Sequence, residues 1–169
     1  MHIHRVDTSY NRHGFYLVKS RPFSNGSKFF ILLHGLNPSA FKTYDRNMKT
    51  IAIIGASNDR AKFGNKSVRA FLQQGYEVFP VNPKKENIEG LSAFKSIRDV
   101  PVRPQIISVY LPPQVLLKVL PDIAVRGCDE LWLNPGTESD EVIAEAARLK
   151  LNVIQACSIV GVGVSPGTL

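Results

Sequence analysis

Residues 51–57 read Ile-Ala-Ile-Ile-Gly-Ala-Ser, and this stretch decides the fold of the chain. The four apolar residues Ile51–Ile54 form a continuous run, without the polar alternation of a strand that has one face in water. Such a run is typical of a parallel strand that is buried on both faces of a sheet. Residues 51–54 are therefore predicted to form a central strand, and the loop that begins at Gly55 follows its carboxyl end.

Strands and helices alternate downstream of this run. Residues 65–74 have helical spacing, with Asn65 as the predicted cap and Gly75 as the end. We predict further strands at residues 76–81, 106–111, 131–133 and 151–156. One helix is predicted to follow Pro112-Pro113 and run to about Arg126, and another to follow Thr137 or Ser139. Strands and helices that alternate in this way build right-handed β-α-β crossovers. The predicted fold is α/β and Rossmann-like, a doubly wound, five-stranded, mainly parallel sheet with helices on both faces.

The first 47 residues have a different character. They show no sustained period of either strand or helix, and they contain loop signals such as Ser24-Asn25-Gly26-Ser27. We therefore predict a weakly structured N-terminal extension over residues 1–47 and a folded domain over residues 48–169. The apolar stretch Phe29–Leu33 is a candidate for one short strand. The alternative is that the extension contributes an edge strand or an arm that binds a partner.

The net charge of +7 is unevenly distributed. Residues 1–47 carry seven Lys or Arg and two Asp, so most of the excess lies there, together with all four histidines. The extension has no nucleic-acid motif, which makes nucleic acid the weakest of the candidate partners. Two cysteines are too few for a disulfide scaffold, and no apolar run approaches the ~20 residues that span a bilayer. We expect a cytoplasmic protein of unassigned oligomeric state that does not bind membranes.

The loop after the first strand, residues 55–65, has the composition of a phosphate-binding turn. Gly55 permits a tight turn, Ser57 offers a hydroxyl group, and Lys62 adds a cation. Gly64 lets a ligand approach the backbone at the start of the helix, where free N–H groups suit phosphate oxygens. A larger side chain at Gly64 should therefore weaken binding and spare the fold. The loop lacks the Gly-x-Gly-x-x-Gly and Walker A patterns, so an ordinary strand-to-helix connection is the alternative.

The end of the second strand bears on the kind of nucleotide. A site for NAD places a carboxylate here to receive a ribose hydroxyl. This chain instead reads Asn82-Pro83-Lys84-Lys85, a neutral residue and a proline followed by two cations. Lysines at this position favour an extra phosphate on the ribose, as in NADP, or the 3′-phosphate of coenzyme A. The alternative is a solvated surface loop.

Two further strand-end loops complete the pattern, Tyr110-Leu111-Pro112-Pro113 and the segment Leu131-Trp132-Leu133-Asn134-Pro135-Gly136. Together with Ile-Gly-Ala-Ser at 54–57, Lys-Phe-Gly-Asn at 62–65 and the second strand, they resemble the coenzyme A-binding domain family of small bacterial proteins. That family is similar to the N-terminal domain of the succinyl-CoA synthetase alpha subunit. The resemblance extends over residues 49–157, about two-thirds of the chain.

The resemblance implies that the ligand is coenzyme A or an acyl-CoA, and it implies a set of binding residues. On the pyrophosphate and adenosine side these would be Gly55, Ala56, Ser57, Asn58, Lys62 and Gly64. Asn82, Pro83 and Lys84 would border the adenine and the 3′-phosphate. An apolar wall would be formed by Tyr110, Leu111, Pro112 and Pro113, and the site would be closed by Asn134, Pro135 and Gly136.

We find no catalytic constellation in the sequence. Because no histidine follows His34, residues 35–169 cannot supply a Ser-His-Asp triad or a Cys-His pair. No tyrosine is followed four residues later by a lysine, as a short-chain oxidoreductase would need. Cys157 is more typical of a buried structural cysteine, and no metal site is predicted. We favour a non-catalytic binding module, with an NADP- or nucleotide-dependent enzyme of unidentified catalytic group as the alternative.

Overall fold

The computed structural model of the chain describes residues 7–10, 16–19 and 48–169. The chain divides into two compact units, residues 1–45 and residues 46–169. In the first unit, strands β1 (Asp7–Tyr10) and β2 (Tyr16–Lys19) pair in an antiparallel arrangement. This two-stranded sheet was not predicted from the sequence. The stretch Phe29–Leu33, our candidate for a strand, lies outside the described residues.

The second unit contains the elements that alternate in the sequence. In chain order they are β3 (Thr50–Ile54), α1 (Phe63–Gln73), β4 (Glu77–Val81), β5 (Asn87–Ile88), β6 (Leu91–Ser92), β7 (Ile106–Val109), α2 (Pro113–Arg126), β8 (Glu130–Leu133), α3 (Asp140–Arg148), β9 (Val153–Gln155) and α4 (Ser158–Gly161). Short 3-10 turns lie at Ile97–Asp99 and Pro166–Thr168. Within the described part of the chain, no helix has the length and apolar character needed to cross a membrane.

Five of these strands form one parallel sheet in the order β4-β3-β7-β8-β9. The two faces of the sheet carry separate apolar clusters. Ile51 and Ile53 pack with α1, whereas Ala52 and Ile54 pack with α2 and α3 on the opposite face. The run 51–54 is continuous because both faces are covered, and each isoleucine that is fully buried contributes roughly 1.5–3 kcal/mol. The predicted fold class is confirmed.

Helix boundaries differ from the prediction at one place that matters for the site. Helix α1 begins at Phe63 with Lys62 as its N-cap, so the buried Asn65 lies inside the first turn and is not the cap. Helix α2 begins at Pro113, a residue that has no N–H to leave unpaired in a first turn. Helix α3 is capped by Ser139, whose hydroxyl oxygen accepts a hydrogen bond from the Val142 N–H.

The strand order fixes where a ligand can bind. Strand β3 lies between β4 and β7 in the sheet. The chain therefore passes from β3 to its neighbour on one side, β4, and then to its neighbour on the other side, β7. Loops that leave β3 and β7 therefore diverge and open a crevice outside the carboxyl ends of these two strands. Ligands of doubly wound sheets bind in this crevice.

Candidate functional site

A cavity of about 390 Å³ lies at the carboxyl ends of the central strands. Its walls come from the loops that follow β3, β7, β8 and β9. The lining residues are Gly55, Lys62, Phe63, Gly64, Tyr110, Leu111, Pro112, Asn134, Pro135, Gly136, Thr137 and Cys157. The cavity thus occupies the crevice that the strand order predicts. Nine of the sixteen residues that the sequence analysis assigned to the site lie in its lining.

Two glycines shape the wall on the β3 side. Gly55 has φ +87°, and a Cβ atom at this position would lie 2.7 Å from the carbonyl oxygen of Tyr110. A Cβ atom on Gly64 would lie 2.3 Å from the carbonyl oxygen of Gly55. The start of α1 therefore packs directly against the end of β3, and only glycine fits between them. The expectation that a larger residue at position 64 would spare the fold was wrong.

The loop between these glycines is organised by its own side chains. The Ser57 hydroxyl accepts a hydrogen bond of 3.1 Å from the Asp59 N–H, and the Asp59 carboxylate accepts one of 3.0 Å from the Ala61 N–H. The buried Asn65 amide donates to the Ser57 carbonyl and to the Glu89 carboxylate, each at 2.8 Å. Because the Asp59 N–H bonds to the Ser57 hydroxyl oxygen, the Ser57 side chain stabilises the turn.

Backbone N–H groups of the same loop are left without partners. Among the residues that the structure describes, none accepts a hydrogen bond from the N–H of Ser57, Asn58, Phe63 or Gly64. Phe63 and Gly64 are the first two residues of α1, whose first turn contains no acidic side chain. Free N–H groups and the positive end of the helix dipole together form a site suited to an anion. The Lys62 side chain lies in the lining beside them.

The loop after β4 contacts the loop after β3 through one side chain. The Asn82 amide donates a hydrogen bond of 2.7 Å to the Ala56 carbonyl, and its oxygen accepts one of 2.8 Å from the Lys84 N–H. Asn82 therefore ties the ends of β3 and β4 together. Pro83 and Lys84 are exposed at the surface. The lining of the cavity includes none of these three, and it also omits Ala56, Ser57 and Asn58.

On the β7 side, the cavity wall is apolar and is backed by a buried polar network. Leu111 and Pro112 line the wall, while Pro113 lies outside the lining as the first residue of α2. The phenol of Tyr110 shares a hydrogen bond of 3.1 Å with the Ser158 hydroxyl. Burial raises the pKa of this phenol above its ordinary value of 10.0, and the hydrogen bond from Ser158 opposes the shift. Tyr110 is therefore neutral at physiological pH.

Asn134 is the centre of this network and is 2% exposed. Its amide donates bonds of 2.9 Å to the Ser108 hydroxyl and to the Val109 carbonyl. Its oxygen accepts bonds from the N–H of Ser158 at 2.9 Å and from the hydroxyl of Ser158 at 3.1 Å. These partners lie on β7 and at the start of α4, so the Asn134 side chain joins the ends of β7 and β8 to α4. Pro135 and Gly136 remain exposed on the cavity side.

Three lining residues were not assigned to the site from the sequence: Phe63, Thr137 and Cys157. Phe63 could not be predicted as a lining residue, because an aromatic residue at the start of a helix matches no known binding motif. The Thr137 hydroxyl donates a bond of 2.8 Å to the Asn134 carbonyl and closes the turn after β8. Cys157 precedes α4 and is half-buried. Its place at the carboxyl end of the fifth strand is the signal that could have identified it.

Comparison with known proteins assigns the fold and the family. The chain is 32% identical over 85 residues to the alpha subunit of ADP-forming acetate–CoA ligase II from Pyrococcus furiosus, and this match covers 50% of the chain and 19% of the subunit. The chain thus spans about a fifth of this relative's length. A conserved hypothetical protein of known structure from Pyrococcus furiosus is 34% identical, with a TM-score of 0.63 over 68% of this chain and 99% of that one.

A second solved structure extends the comparison to a larger enzyme. The dinucleotide-forming acetyl-coenzyme A synthetase 1 of Ca. Korarchaeum cryptofilum, in complex with phosphate and ADP, is 25% identical with a TM-score of 0.57. The match covers 64% of this chain and 25% of the synthetase. The model of the CoA binding domain family matches residues 49–162, which include every strand of the parallel sheet and every loop that lines the cavity. The chain belongs to the CoA binding domain family.

Proposed function

We propose that this chain binds coenzyme A or an acyl-CoA in the cavity formed by its strand-end loops, and that it does so without catalysing a reaction. The observation that carries this proposal is the combination of two kinds of wall in one cavity. On the β3 side there are free backbone N–H groups and Lys62, and on the β7 side there are Leu111 and Pro112. Coenzyme A joins a pyrophosphate to an arm with apolar and amide parts.

The charge of the cavity suits the pyrophosphate. Its lining residues include one cation, Lys62, and no aspartate or glutamate. The unpaired N–H groups of Phe63 and Gly64 add the positive end of an 11-residue helix. An anion placed here would receive hydrogen bonds from groups whose geometry is already fixed by the packing of Gly64 on β3.

The end of β4 favours coenzyme A over NAD. A carboxylate is absent from positions 82–85, and the Asn82 side chain is engaged with Ala56 and Lys84. The exposed ammonium groups of Lys84 and Lys85 make no ion pair with a described residue. These two lysines are free to attract the 3′-phosphate of coenzyme A.

The proposal of binding without catalysis rests on the side chains that line the cavity. The ionisable groups there are Lys62, Tyr110 and Cys157. Tyr110 is neutral and hydrogen-bonded to Ser158, so it is poorly suited to remove a proton from a ligand. The ligase relatives are several times longer than the matched segment. We propose that this chain shares with them the binding of coenzyme A and no further step.

Titration calorimetry with coenzyme A, dephospho-coenzyme A, NADP and NAD tests the proposal. We expect saturable binding of coenzyme A, weaker binding of dephospho-coenzyme A, and no comparable binding of NADP or NAD. Lys62→Ala should weaken coenzyme A, whereas Lys118→Ala, which removes an exposed cation from α2, should leave its affinity unchanged. Preference for NADP, or conversion of any of these ligands during the titration, would overturn the proposal.

A further inference from the structure

Phe63 is an aromatic side chain that the fold leaves in water. Its exposed fraction is 55%, and the other large apolar residues with exposed side chains in the described part of the chain are aliphatic. It is the first residue of α1 and lies between the Lys62 cation and the tightly packed Gly64. Exposing a phenylalanine costs free energy that a polar residue at a helix start would avoid. Its presence in the cavity lining suggests a use in binding.

The ring is held by a second side chain. The Lys66 ammonium, one turn further along α1, lies 5.8 Å from the centroid of the Phe63 ring. The same ammonium donates a hydrogen bond of 2.7 Å to the carbonyl of Pro166, the first residue of the C-terminal 3-10 turn. Lys66 is therefore fixed between the ring and the end of the chain. A cation in contact with an aromatic face restrains the ring at the cavity rim.

The position of the ring along the cavity indicates what it contacts. Phe63 adjoins the free N–H groups at the end of β3, and the remaining lining lies at the ends of β7, β8 and β9. Adjacent strands are about 4.8 Å apart, so the distance from β3 to β9 is roughly 14 Å. The pantetheine arm of coenzyme A is comparable to a stretched tetrapeptide, which is also roughly 14 Å long. The arm therefore matches the cavity from the β3 side to Cys157.

We propose that Phe63 is a ligand-binding residue that packs against the branched, apolar part of the pantetheine arm next to the pyrophosphate, and that Lys66 positions its ring. This inference rests on the proposed function, because it assumes that coenzyme A occupies the cavity. It adds a contact that the sequence did not indicate. It also gives the tether from Lys66 to Pro166 a role in binding.

A matched pair of ligands tests the inference. The pair is dephospho-coenzyme A and ADP, because dephospho-coenzyme A consists of ADP joined to the pantetheine arm. Competition of each ligand against coenzyme A gives its affinity, and the difference between the two measures the contribution of the arm. Phe63→Ala should weaken dephospho-coenzyme A by about tenfold, which is 1.4 kcal/mol, and change the affinity for ADP less than twofold. Phe63→Leu should retain part of the affinity, and Val125→Ala, at an exposed site on α2, should retain all of it.

Lys66 has its own test. Lys66→Ala should weaken dephospho-coenzyme A less than Phe63→Ala does, again without affecting ADP, and Lys66→Arg should restore the affinity. Equal losses for ADP and dephospho-coenzyme A in Phe63→Ala would show that the ring contacts the adenosine part, and no loss for either would remove Phe63 from the site. Both results would overturn the inference. Failure of the unaltered protein to bind coenzyme A would instead refute the proposed function, so the two failures are distinguishable.

Discussion

Replacing Gly64 with alanine places a methyl group where the structure has no room for one. The Cβ atom would lie 2.3 Å from the carbonyl oxygen of Gly55, whereas ordinary van der Waals contact begins near 3.4 Å. The start of α1 would have to move away from the end of β3 by about 1 Å. Overpacking of this kind typically costs about 1–3 kcal/mol. For a domain of this size, that loss lowers the melting temperature by roughly 3 to 12 °C.

Thermal unfolding followed by far-ultraviolet circular dichroism measures this effect, and urea unfolding provides an independent midpoint. Gly167→Ala is the matched control, because a Cβ atom there has Ser165 Oγ at 3.7 Å as its nearest neighbour. The control should unfold within about 1 °C of the unaltered protein, since it removes no contact. If the melting temperature of Gly64→Ala is also unchanged, α1 does not pack on β3 as described. The role of Gly64 would then be limited to ligand binding.

Three further perturbations address the Asn134 network, the half-buried thiol of Cys128 between α2 and β8, and the basic loop after β4. Asn134→Leu leaves the buried polar partners of the Asn134 amide without hydrogen bonds. The free energy of unfolding in urea should fall by at least about 2 kcal/mol. An unchanged unfolding midpoint would contradict the network. Burial raises the pKa of Cys128 from 9.0 to about 11. Between these two pH values the thiol stays protonated in the folded state and loses its proton in the unfolded state. Stability should therefore fall as pH rises from 9 to 11, and Cys128→Ala should remove this part of the dependence, whereas identical pH profiles would refute the assignment. Lys84 is exposed, so a charge contact contributes about 0.2–1 kcal/mol, and Lys84→Ala should weaken coenzyme A by at most about fivefold. Dephospho-coenzyme A should bind the variant and the unaltered protein with the same affinity. An equal loss of affinity for both ligands would show that Lys84 does not contact the 3′-phosphate.

Much of the fold could be predicted because its signals are local. The run Ile51–Ile54 identifies a strand covered on both faces, and the order of strands and helices leaves few topologies. For the same reason, the strand-end loops could be singled out as the candidate site, and the structure places a cavity at several of them. The pair β1–β2 was missed because four-residue strands in a segment rich in turn residues have no measurable period.

The roles of individual side chains could not be predicted, because they depend on partners that are distant in the sequence. Asn134 bonds residues 24 to 26 positions away, and Asn82 bonds Ala56, 26 positions away. Both were assigned to the ligand, yet their amides are engaged by the protein. The steric role of Gly64 likewise depends on how closely α1 approaches β3. Such distances follow from the packed fold, and no pattern of neighbouring residues indicates them.

A crystal structure of the protein with coenzyme A tests the central claim most directly. We predict that the pyrophosphate lies within hydrogen-bond distance of the N–H groups of Phe63 and Gly64, with the pantetheine arm passing Leu111 and Pro112 toward Cys157. A pyrophosphate bound elsewhere would contradict this account. The clearest such result would be coenzyme A in the second cavity, of about 350 Å³, that Lys49 and Trp132 help to line.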